Sequence, residues 1–179
     1  TDGTDDTDET DGNNGDLSDL QLLKQAMLTA KQAYKDALGA KRAAQVELKQ
    51  AKSALGPVQR QYNAKVRLVN KLVNKLQRQE TALINVVNQY NALPATTSSG
   101  KRQRVFNRYV KIRDRYLSTL SSYQSNMAGL SMLATQVAEL QAQFDEKKGA
   151  FVVAKDEAGT KLAEFKAAKQ AYQEAKAAQ

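Results

Sequence analysis

The chain has no cysteine, no histidine and no tryptophan, and each absence closes a class of chemistry. Without cysteine there is no thiol nucleophile and no disulfide. Without histidine the commonest general base and the usual zinc ligand sets are gone. Lack of cysteine fits a cytosolic protein and an exported one equally well. Two prolines, four phenylalanines and seven tyrosines among 179 residues leave little with which to fill a thick globular core. No apolar run approaches the roughly 18 residues that span a bilayer, and residues 1–16 lack the basic and apolar regions of a signal peptide. The expectation is that the protein is cytosolic or that the chain has already been processed or trimmed.

Catalytic arrangements are missing as well. Asp145-Glu146 and Asp156-Glu157 are sequence neighbours on a helix, where adjacent side chains do not face each other. No Glu-x-x-His pair exists for a di-iron bundle, and Ser98-Ser99-Gly100 has no partner base. No glycine-rich phosphate loop is present. The expectation is therefore a protein that is not an enzyme, with no catalytic residues, no metal, no cofactor and no small-molecule substrate.

What is present is periodicity. Leu20, Met27, Tyr34, Lys41, Leu48, Leu55, Tyr62, Val69, Leu76, Leu83 and Tyr90 recur at intervals of seven. After a polar break the same interval carries Tyr109, Tyr116, Tyr123, Leu130, Val137, Phe144, Phe151, Ala158, Phe165 and Tyr172. A seven-residue period sustained over about ten heptads marks a coiled coil rather than an ordinary amphipathic helix. Leu93-Pro94 closes the first ladder, because proline disfavours helix at the residue before it. The sequence predicts an all-α fold: helical arms over 17–93 and 101–179, joined by a loop over 94–100. Each arm of about 75 residues would be about 110 Å long at 1.5 Å per residue, and so short a connection makes the arms antiparallel neighbours.

The register follows from filling the seam. Pairing residues whose numbers add to 195 sets Ala30 against Phe165, Ala44 against Phe151, Ala51 against Phe144 and Val86 against Tyr109. Small faces large in successive layers, as close packing requires. The same register leaves Ala37 against Ala158 as a thin layer and sets Tyr34 against Lys161. It also places Lys41, Lys65, Gln79, Thr119, Asn126 and Lys147 in the seam, where isolated polar groups act as register devices at some cost in stability. Gly56-Pro57 interrupts the first arm. The heptad phase does not reset across it, which favours a long antiparallel two-stranded hairpin kinked at Gly56-Pro57. A compact four-helix bundle is the alternative. Toward the loop extra apolar residues accompany the ladder: Val66, Leu68, Val73, Ile84, Val87, Phe106, Leu117, Leu120, Met127 and Met132. They either thicken a four-helix core, by folding or self-association, or form a surface for another protein.

Charge is unevenly spread. Residues 1–16 carry seven acids and no base, and with their threonines and glycines they read as a disordered, solvating leader. Their carboxylates do not match the spacing of a calcium loop. The helical domain is 17–179. Within it residues 60–115 hold thirteen Lys or Arg against Glu80 and Asp114, while residues 116–146 hold none. Lys101, Arg102, Arg104, Arg108, Lys111, Arg113 and Arg115 follow the loop directly, and Arg67, Lys71, Lys75 and Arg78 lie on the other arm. These residues are the candidate contact site for a partner or an anion.

The functional expectation is a non-enzymatic coiled-coil protein serving as a spacer, matrix component or adhesion stalk, with partners meeting its loop-proximal basic region. The competing expectation is a binding module for anionic polymers or membrane surfaces: heparin-like glycans, polyphosphate, acidic lipid or, least favoured, nucleic acid. A protein partner or self-association is expected, at an extracellular or cell-surface location, with the cytoplasm as the alternative.

Overall fold

A computed structural model describes residues 14–178. It contains two helices, α1 (Asn14–Asn91) and α2 (Ser99–Ala177), packed against each other as a helical hairpin, with no strand among the described residues. The chain takes the two-helix form and not the four-helix alternative, because α1 runs unbroken through Pro57. Residues 1–13 of the predicted leader lie outside the described residues, whereas Asn14, Gly15 and Asp16 already belong to α1.

Both helices bury one narrow stripe. In α1 a shielded stripe runs 20, 23, 27, 30, 34, 37, 41, 44, 48, 51, 55, 58, 62, 65, 69, 72, 76, 79, 83 and 86, alternating by three and four, and 33, 38, 56, 59, 66, 73 and 82 beside it are half-buried as well. In α2 the same alternation runs without a slip from 102 to 175. These are heptad positions a and d, with a at Val69 in α1 and at Tyr116 in α2. The phase crosses Gly56-Pro57 intact, since 48, 51, 55, 58 and 62 keep step. Proline supplies no N–H to the helix ladder, so the seam on both sides holds the helix through a residue that would otherwise end it.

The seam is thin. Among the described residues only Ala37, Val69, Val86 and Ala158 are buried apolar residues, and none of their side chains is wholly shut away from solvent. The chain divides into two packed units, one made of residues up to Ala51 with Phe144 onward, the other of Lys52–Gln143. In the first, Lys147 Nζ reaches Glu47 Oε2 across the seam at 3.1 Å, a pair whose numbers sum to 194. Ala37 and Ala158, the expected thin layer, are both buried, so alanine there serves close approach of the backbones. One pairing differs from expectation. Tyr34 does not sit over Lys161 but stacks on Phe165, with ring centroids 6.4 Å apart and planes 2° from parallel. On a helix each Cβ leans toward its own N-terminus, so in antiparallel helices residues one turn past the level rung lean toward each other. The Phe165 ring consequently meets an aromatic partner where the predicted register gave it Ala30.

In the second unit an ideal Cβ on Gly129 would lie 3.0 Å from Lys65 Cε, again a pair summing to 194. Glycine at 129 leaves room for the lysine stem across the seam. The α1 ladder stops one step early, because Tyr90 is 38% exposed. The helix closes at Asn91, and the chain from Ala92 to Ser98 turns on Thr97 N–H to Pro94 O at 2.9 Å. Both Lys101 N–H and Arg102 N–H donate to Ser98 O, which starts α2.

Candidate functional site: two unlike flanks near the loop

In an antiparallel pair, positions e of both helices fall on one side of the seam and positions g on the other. Beside g on the helix surface lies c, and beside e lies b. Within Lys52–Gln143 this assignment sorts the predicted basic residues. Lys101, Arg108 and Arg115 occupy g in α2, and Arg104 and Lys111 occupy c. They alternate by three and four, so five cations form one stripe along the helix, about 21 Å from end to end. On α1, Lys75 at g and Lys71 and Arg78 at c form a shorter stripe on the same side.

A groove confirms that the two stripes share a side. It is lined by Lys75 and Gln79 from α1 and by Lys111, Asp114, Arg115, Ser118 and Thr119 from α2, with a volume of about 680 Å³. Its floor is the polar part of the seam. Thr119 is 4% exposed and donates from Oγ1 to Arg115 O of its own helix at 2.9 Å. Gln79 Oε1 is buried with no hydrogen-bond partner among the described residues.

Three of the eleven predicted residues stand elsewhere. Arg102 is half-buried at a seam position, and its Nη2 donates to Pro94 O at 2.7 Å, fastening the turn. Arg113 lies at e on the opposite flank, where its Nη2 meets Asp114 Oδ1 at 2.9 Å. Arg67 lies at f, on the outer face of α1. Counting bases along the chain could not separate these roles, because only heptad position tells flank from seam.

The opposite flank is apolar. Val66, Val73 and Val87 of α1 and Phe106, Leu120 and Met127 of α2 all take position e. Near the loop they open into a groove of about 200 Å³ lined by Val86, Val87, Tyr90, Asn91, Phe106 and Tyr109. Phe106 and Tyr109 rings lie 6.3 Å apart there. Of the other apolar residues predicted beside the ladder, Ile84 and Leu117 belong to this flank at b, while Leu68 and Met132 fall on the basic side at g and c.

The Lys/Arg-free stretch of α2 spends its polar side chains on its own backbone. Ser122 Oγ, Asn126 Nδ2 and Thr135 Oγ1 each donate to the carbonyl four residues earlier. Asn126 is therefore no cross-seam clasp, and of the predicted polar seam residues Lys147 is the one seen bonded to the other helix. Among the described residues no helix is long and apolar enough to cross a membrane. Compared with protein-family models, curated proteins and solved structures, the chain matches none of them.

Proposed function

We propose that this is a non-enzymatic helical-hairpin interaction protein, a spacer, matrix component or adhesion stalk, whose contact surface is the basic flank next to the loop. The observation that carries this reading is the alignment of Lys101, Arg104, Arg108, Lys111 and Arg115 on one stripe, whose Lys111 and Arg115 line a groove with Lys75 of α1, while Lys71 and Arg78 lie on the same flank of α1. None of these eight is ion-paired within the chain among the described residues, so their charge is available to a partner. A run of cations in a straight line fits an extended polyanion better than a compact anion, because successive negative groups then meet successive bases.

That line also favours the second reading, a module dedicated to an anionic polymer such as a heparin-like glycan or polyphosphate. A cell-surface or extracellular setting accords with such ligands and with the acidic, threonine-bearing leader. Chromatography on heparin separates the two readings. Retention that persists to about 0.5 M salt supports a dedicated polyanion site, and release near about 0.15 M leaves a basic protein–protein contact surface. Failure to bind at low salt would count against both.

A further inference from the structure

In the unit Lys52–Gln143 the e and b positions are almost free of charge. From 59 to 91 in α1 and from 103 to 141 in α2 they hold one acid, Glu80, and one base, Arg113. This is the region in which thirteen bases fall between residues 60 and 115, so the bases are kept off one flank. What remains are apolar rungs, Val66 with Met127, Val73 with Leu120 and Val87 with Phe106, and the Glu80–Arg113 rung falls in line with them. The seam covers them only in part: Val66, Val73 and Leu120 are half-buried, while Val87 is 40% exposed, Phe106 47% and Met127 38%. An apolar strip of this kind, crossed by a single charged rung, marks a contact surface.

We propose that a second copy of this chain covers this flank, making the unit one half of a four-helix bundle with both loops at the same end. The charge pattern selects that occupant and that orientation. The flank has no net charge, so two copies meet there without like-charge repulsion while their basic flanks point outward. A two-fold axis running along the helices sets each α1 against the other copy's α2. Every apolar rung then meets its own reverse, and Glu80 of each copy meets the partner's Arg113. A two-fold axis across the helices, centred on that rung, would set Glu80 against Glu80 and Arg113 against Arg113. Glu80 has no ion pair within the chain among the described residues. Arg113 donates to Asp114 through Nε and Nη2, which leaves Nη1 for the partner. From rung 66 to rung 87 the flank is about 30 Å long and about 20 Å across two helices. That is about 600 Å² per copy, close to the roughly 800 Å² of a standard stable interface.

Sedimentation equilibrium of the full chain tests this, with circular dichroism to confirm that each variant stays helical. The wild type is expected to be a dimer with a dissociation constant in the micromolar range or below. Glu80→Arg should weaken it at least about tenfold, and Glu80→Arg/Arg113→Glu should restore it. A wild type monomeric at about 100 µM would overturn the proposal, as would a dimer that Glu80→Arg leaves equally tight. Orientation is read separately, since the chain has no cysteine of its own. Val87→Cys mixed with Phe106→Cys should form disulfides in excess of either variant alone. Self-crosslinking of Val87→Cys in preference to the mixture would contradict the axis proposed.

Discussion

At Gln79 a seam position holds an amide whose Oε1 is buried and unpartnered among the described residues. Leaving a buried acceptor unsatisfied costs about 1–3 kcal/mol, whereas an apolar side chain of similar size costs nothing comparable. Gln79→Leu should therefore raise stability in urea unfolding by about 1–2 kcal/mol, and a loss would show that the amide has a partner in solution. Lys147 behaves differently, because it reaches out of the seam to Glu47 and also lies 3.6 Å from Glu146. The hydrogen bond and charge of Glu47, with a smaller contribution from Glu146, raise its pKa above the ordinary 10.5. A lysine pKa raised by folding stabilises the folded state fully below the unfolded value and loses that contribution as pH rises through the folded one. Lys147→Met should thus lower the melting temperature at pH 7, and the gap to the wild type should close above the lysine range. A gap that stays constant there would mean the lysine acts by packing alone.

At the scale of the helices the heptad rule proved more legible than the residues that depart from it. Periodicity, together with Pro94 and the short connection after it, located both arms, the antiparallel pairing and the a and d stripe on which a two-stranded seam is built. It was less able to place the ends. Pro94 biases Leu93 away from helix, and α1 closes at Asn91, two residues before the predicted boundary, while α2 begins at Ser99, two residues ahead of its predicted start at 101. It also missed the Tyr34–Phe165 stack, since pairing by residue number ignores the lean of side chains along each helix. Pro57 tests the helix as an element. Its ring is accommodated while the heptad phase continues, so Pro57→Ala should stabilise by up to about 3 kcal/mol. A loss of stability would instead show that the local proline geometry is built into the seam.

At the scale of the whole molecule the informative property is how charge and apolar surface are sorted around the seam. Residue counts showed that the bases gather near the loop, but not that eight share one flank while Arg102 fastens the turn and Arg113 sits among apolar rungs. That sorting depends on which side of the seam each heptad position faces, so it becomes readable only once the helices are paired. A polyanion would then meet a defined stripe, and net charge alone would not account for binding. The most direct measurement is heparin affinity against salt for two charge-matched variants. Arg108→Glu/Lys111→Glu alters the stripe, and Arg60→Glu/Arg67→Glu makes the same charge change at f, on the outer face of α1. The stripe variant is expected to lose at least about tenfold more affinity than its charge-matched counterpart, with a shallower salt slope. Equal losses in the two would contradict a defined site and leave only the overall charge of the chain.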